Sequence, residues 1–362
     1  MKKQKQTTTN KKSKSNRQKR WKTPLIFSLL LGTTSIVALL KLPNISLHLI
    51  YTLVVKPLIR IFSIMTITLI GSAIVEGLGW ASFVSKFSRP LMKIGNLSDY
   101  AGVSFTTAFL SGLAGNTMLY NFYKEKKIDE KELTISVITN HGLPSFFLHL
   151  PTTAAIIIPL AGVAGIRYLF LVFWAAVIRT FSVLFLGRFI LPKRNKEDHK
   201  IEEKSKSNYG WQKVKVLLRR YLKIRLVRIA LFTIPIYILV AALRLWGVFT
   251  WLEHTTSHLI SNSVLPVQGI SVIVFTLIAD FTAGAAAAGA MLQSGALTIK
   301  ATVLALLIGN LLATPIRALR HQLPNYLGVF GPRLGTKLLS ISQSVRIISV
   351  LLVTIVYYFY NW

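Results

Sequence analysis

Apolar residues fall into long blocks that carry almost no charge, at Pro24 to Leu40, Ile61 to Trp80, Tyr168 to Phe189, Ile229 to Leu245 and Ile341 to Tyr360. A helical block of about 20 residues is long enough to cross a hydrocarbon core about 30 Å thick. Water is absent there, so the backbone must satisfy its own hydrogen bonds, and a spanning barrel would instead show shorter alternating strands. The pattern predicts an all-α polytopic transmembrane helical bundle.

Two further apolar segments are broken by small residues, and their punctuation recurs. Gly112-Leu-Ala-Gly-Asn-Thr117 is followed by a charged helical connection and then by Asn140-His-Gly-Leu-Pro144. Phe281-Thr-Ala-Gly-Ala285 is followed by a helical connection and then by Asn310-Leu-Leu-Ala-Thr-Pro315. Gly115 and Asn140 are 25 positions apart, and Gly284 and Asn310 are 26 apart. The recurrence predicts two repeats containing interrupted or re-entrant helices, each with a break at the asparagine that precedes a proline.

Charge then sets the expected topology. The tail Met1 to Lys22 holds ten Lys or Arg and no acid, and Lys193 to Arg228 holds thirteen against four acids. These two stretches supply 19 of the 31 net positive charges. Both flank apolar blocks, where the positive-inside rule makes them cytoplasmic and anionic lipid attracts them; no nucleic-acid partner is expected. Between Lys93 and Lys193 lie three apolar segments, Val103 to Tyr123, Leu133 to Leu160 and Arg167 to Ile190. Three full crossings would put the basic loop outside, so the segment around Ser111 to Thr117 is read as a re-entrant hairpin. Ile61 to Trp80 then crosses inward and Ile229 to Leu245 outward, which makes the two repeats inverted. The expected organisation is a disordered basic cytoplasmic tail over residues 1–23 and an extra transmembrane helix over 24–43. A first repeat over 60–192 follows, then a basic linker with an amphipathic helix over 193–226, and a second repeat over 227–362. The protein is expected in the cytoplasmic membrane, multi-pass, with its N-terminus inside.

Few residues here can carry chemistry. Of twelve acids only Glu76 and Asp280 fall inside apolar blocks, where an unpaired charge costs at least about 2.5 kcal/mol on insertion scales. Glu76 and Arg244 hold similar places in the two halves, 168 positions apart, and are read as an ion pair across the repeat axis. Asp280 precedes the small-residue run Thr282 to Gly289, which suits close helix packing; the acid itself suits a cation or a proton. Ser111 takes the matching place in the first half, with Asn116, Thr117, Asn140 and His141 nearby. Asn140 and Asn310 could bind solute or satisfy backbone groups freed at the breaks. His149, Arg179 and Arg317 are read as facing the interior. Cysteine is absent, which excludes thiolate metal sites, thiol redox chemistry and a disulfide framework. No nucleotide-binding loop, zinc-protease pair or serine elbow is present, so the chain is not expected to be an enzyme and no cofactor is implied. Whether a metal binds stays open, as does assembly into a homo-oligomer.

With these residues in view, the chain resembles the nucleoside-recognition or Gate-domain membrane family, which includes membrane domains of ferrous-iron transporters and spore maturation membrane proteins. The resemblance rests on Gly112 to Thr117, Asn140 to Ser145, Thr282 to Gly284 and Asn310 to Pro315, and covers Ile61 to Tyr360. It implies a pair of Gate repeats and a permease. The chain lacks the fused GTPase and the cysteines of the iron transporters. The expected function is movement of a small polar solute or ion through a midplane site built from Asp280, Asn310, Asn116, Thr117, Asn140, His141, Ser111 and Thr282. The alternative is a scaffold that docks a partner through the basic tail and loop.

Overall fold

Capping side chains set many of the element boundaries. The computed structural model describes residues 29–30, 32–37, 40–41, 46–78, 88–192, 210–247, 265–278 and 281–360. Every regular element among them is helical. A turn at Leu47–Ile50 and a π-stretch at Tyr51–Val55 lead into α1 (Lys56–Gly77). Then come α2 (Ser88–Ile94), α3 (Asp99–Ala108), α4 (Gly112–Lys124), α5 (Glu130–Asn140) and α6 (Leu143–Ile190). The second part holds α7 (Trp211–Arg220), a π-stretch at Tyr221–Leu226, α8 (Val227–Leu245), α9 (Val267–Ile278), α10 (Phe281–Gln293) and α11 (Ile299–Arg317). A π-stretch at Ala318–Gln322 leads to α12 (Leu323–Phe330) and α13 (Pro332–Phe359). The expected tail, much of the extra N-terminal helix and the linker before Gly210 lie outside the described residues.

Ser98, Ser111, Asp129 and Thr298 each accept a backbone N–H at the start of α3, α4, α5 and α11, satisfying donors that a helix N-terminus leaves free. Glu132 then ties two of these ends together. It is 3% exposed, and its Oε1 accepts the Ser98 backbone N–H at 2.8 Å. Glu132→Ala should cost about 1–3 kcal/mol, because a buried donor loses its acceptor. Glu132→Gln, which keeps an oxygen there, should cost less. Thermal unfolding of the two variants in detergent checks the order.

Corners are made by glycine. Gly162 divides α6 with φ +53°, and Gly331 separates α12 from α13 with φ +78°; side chains are disfavoured at such φ. The arm after Gly162, Val163 to Ile190, is as long as α13, 28 residues. α4 and α10 are both 13 residues long. Gly162 and Gly331 are 169 positions apart, as are Lys126 and Gly295, which also have positive φ.

Two expectations are corrected here. The chain from His321 to Lys337, rich in Pro and Gly, reads as a loop, yet it is helical apart from the corner at Gly331. Pro324 and Pro332 each sit in the first turn of a helix, where a missing N–H costs nothing. The predicted break at Asn310 is also absent: α11 runs on through Pro315 to Arg317 before opening into the π-stretch. The Asn310 carbonyl accepts from Thr314 Oγ1 at 2.7 Å and from Arg317 Nη2 at 3.0 Å, so side chains reinforce the turn that the proline weakens. The break at Asn140 is present, between α5 and α6.

α6 is the hub, packing against α1, α5, α10, α11 and α13. α10 is the most deeply placed element, with Ala283 to Met291 all buried. Its small side chains let α6, α8, α9 and α11 approach. α7 packs on α1 through Val214 and Leu217, whereas Trp211 is exposed. A Cβ on Gly77 would lie 2.4 Å from Val214 Cγ2, so that contact requires glycine. The stretch Glu130–Ile190 and the helices Ile299–Arg317 and Pro332–Phe359 are long and apolar enough to cross a bilayer. Phe185 and Phe189 on α6, and Ile348, Ile355 and Phe359 on α13, are exposed. Such apolar faces suit lipid rather than water; the chain is a helical membrane protein.

Candidate functional site

Two adjoining cavities open among the long helices. The larger, about 520 Å³, lies between the two arms of α6, the C-terminal part of α11, the π-stretch Ala318–Gln322 and the middle of α13. The smaller, about 260 Å³, lies between α4, the α5–α6 junction and α12. Ser145, His149, Gln322 and Asn325 line both, so the two cavities adjoin across these polar side chains.

The smaller cavity is built by the break after Asn140. Asn140 Nδ2 donates to Ser104 Oγ at 3.0 Å and to Asn116 Oδ1 at 3.5 Å, and Ser104 Oγ donates to the Gly115 carbonyl at 2.9 Å. His141 Nε2 and the Tyr326 hydroxyl share a hydrogen bond. Asn140 Oδ1 and His141 Nδ1 are buried and have no hydrogen-bond partner among the described residues. Buried polar atoms are nearly always paired, so these two are natural contacts for water or a ligand. Asn140 therefore spends its amide on side chains rather than on freed backbone.

The larger cavity is lined by Arg179 on α6, Arg317 at the end of α11 and Arg346 on α13, with His149 and His321. Arg317 Nη2 donates to the Asn310 carbonyl and side-chain oxygens. Arg179 is 6% exposed and its Nη1 donates to Ser349 Oγ at 3.4 Å, while its Nε is buried without a partner among the described residues. Tyr168 and Phe281 stack at 5.7 Å and form an apolar wall. Arg346 lies midway along the 28 residues of α13, about 20 Å from either end.

The sequence-predicted residues fall into three groups. Asn116, Asn140 and His141 meet at the smaller cavity, and Asn310 lines the larger. Ser111 caps α4; Thr117 is exposed with its hydroxyl on the Leu113 carbonyl; Thr282 is half-buried. None of these three lines either cavity. Asp280 and the side chains of Glu76 and Arg244 lie outside the described residues. Arg346 was not anticipated, although an arginine in the middle of the last apolar block was the available signal. Among the described residues no three His, Cys, Asp or Glu side chains gather as metal ligands.

Comparison with known proteins gives relatives without functions. An uncharacterized protein of Methanocaldococcus jannaschii is 29% identical over 264 residues, covering 73% of this chain and 83% of its own length. A second from that organism is 27% identical over 303 residues, covering 80% and 94%. A third is 24% identical over 291 residues, covering 80% and 90%. No known family profile and no solved structure matches the chain.

Proposed function

We propose that the chain is a permease of the cytoplasmic membrane, built from two inverted Gate-like repeats, that moves a small polar solute or ion through the paired cavities. The observation that carries this reading is a cavity of about 520 Å³, lined by three arginines and two histidines, between apolar helices long enough to span a bilayer. Polar and charged groups at that depth are expensive, and they are kept where they serve a path. The repeat reading draws support from elements that return at a spacing of 169: Gly115 and Gly284, the caps Asp129 and Thr298, and the corners Gly162 and Gly331. Inverted repeats with broken helices around a midplane site are the plan of many secondary transporters, which rock one repeat against the other. In this reading the hairpin α3–α4 is re-entrant, the basic tail is cytoplasmic and in contact with anionic lipid, and no catalytic residues are involved.

The absence of cysteine allows a test that needs no knowledge of the solute. Thr314→Cys in the larger cavity and Ser145→Cys where the cavities join should each be modified by a membrane-impermeant maleimide. Modification is expected from both faces, in right-side-out and inverted vesicles. A cavity that reacts from neither side, or Thr314→Cys and Ser145→Cys that react from one side only, would favour the scaffold reading instead.

A further inference from the structure

We infer that the occupant of the larger cavity is a small organic anion whose carboxylate or phosphate group is held by Arg179 and Arg346. This deepens the permease reading and rests on it for the idea that the occupant moves. Both guanidinium groups line one cavity near the middle of their helices. Arg179 keeps a buried Nε–H without a partner among the described residues, and the Arg346 side chain lines the same cavity. The five acids whose side chains are described, Asp99, Glu125, Asp129, Glu130 and Glu132, all lie in one segment near the α4–α5 loop, and none lines this cavity. Among the described residues no carboxylate stands beside these two arginines, and such charges in a largely apolar surrounding are poorly compensated. Charge-assisted bonds from a guanidinium to an oxyanion supply that compensation, and the planar fork suits carboxylate and phosphate. The stacked pair Tyr168 and Phe281 offers an apolar wall on the same cavity, which suits an anion carried on an organic body. A hollow of about 640 Å³ beside Lys124, Lys127 and Glu130 is unlike it: it mixes both charges and lies at the end of the bundle.

The full chain is purified and its thermal midpoint followed with succinate, benzoate and inorganic phosphate, at ionic strength fixed with sodium chloride. Succinamide and benzamide serve as uncharged counterparts. At least one anion should raise the midpoint where its amide does not. Arg179→Gln and Arg346→Gln should each weaken that response about 10- to 100-fold, the range for a hydrogen bond to a charged group. Without anion both variants should unfold at or above the wild-type temperature, because each removes a charge from a largely apolar surrounding. The idea is overturned if no anion outperforms its amide and phosphatidylglycerol nanodiscs do no better than phosphatidylcholine. It is equally overturned if the glutamine variants respond fully, or if they lose several degrees without ligand, as structural arginines would. An arginine-dependent shift given by phosphatidylglycerol alone would identify the same anionic chemistry in a lipid headgroup. Proteoliposome uptake separates the two proposals. Arginine-dependent binding without uptake leaves the anion site standing and removes the permease, whereas uptake of a solute that is indifferent to both substitutions does the reverse.

Discussion

Gly289→Val is expected to deplete folded protein from the membrane, and Gly289→Ala to lower the thermal midpoint of what remains by roughly 5 °C or more. A Cβ at this position would stand 2.3 Å from the Leu160 carbonyl oxygen and 2.8 Å from its carbon. Those atoms are backbone, so no rotamer change relieves the overlap, and α6 and α10 must separate. Alanine would gain about 1 kcal/mol of helix propensity; overpacking of this kind costs about 1–3 kcal/mol, and more where the neighbour cannot move. The clash wins. Gly71→Ala is the control: nothing lies within 4 Å of its Cβ position, so propensity alone should act and stability should hold or rise. Equal behaviour of the two alanine variants would show that the α6–α10 contact is not as close as described. The position bears on the larger cavity too, because the first arm of α6 that meets Gly289 also supplies Ser145, His149 and Leu150 to its wall.

What the chain discloses by itself depends on the distance over which a signal acts. Helix caps are local, and Ser98, Asp129 and Thr298 mark helix starts within three residues of themselves. The break after Asn140 is equally local, being a glycine two positions before a proline. Pro315 carries a similar local signal but is overridden, since Thr314 and Arg317 bond back to the Asn310 carbonyl. The corners at Gly162 and Gly331 are harder to see. Nothing in sequence distinguishes a glycine with positive φ from one such as Gly289 that is needed for a close approach. The small-residue run of α10 is legible as a packing surface, but the partner against which it packs is not. The cavity is the least legible feature, because Arg179, Arg317 and Arg346 come from three helices spread over more than 160 positions. Only their apolar sequence surroundings mark them, and Arg346 carries that mark as clearly as the acid at Asp280 does.

The second large effect is expected at Gly142, within the motif Asn140 to Pro144, and its cause differs from that at Gly289. A Cβ there would fall 2.0 Å from Thr180 Oγ1 and 3.0 Å from the Thr139 carbonyl. Thr180 Oγ1 accepts the Leu143 N–H at 2.9 Å and donates to the Ala176 carbonyl at 2.8 Å. The hydroxyl thus satisfies a donor at the start of α6 that the helix itself cannot satisfy. Gly142→Ala must displace it, and the loss of that buried bond adds about 1–3 kcal/mol to the steric cost. Thr180→Ala alone loses the bond and creates no clash. In the double variant the bond is already gone and the nearest obstacle has been removed, so the two losses should not add. A double-mutant cycle should return a favourable coupling of about 1–3 kcal/mol, well above the few tenths expected of independent sites. Strict additivity would mean that Thr180 is not what keeps position 142 a glycine. The steric part of this reasoning applies to Gly284, whose Cβ would overlap Thr276 Oγ1 at 1.8 Å. Gly142 in the first half and Gly284 in the second are thus each held against a threonine hydroxyl, and Gly142 stands next to the asparagine and histidine that line the smaller cavity.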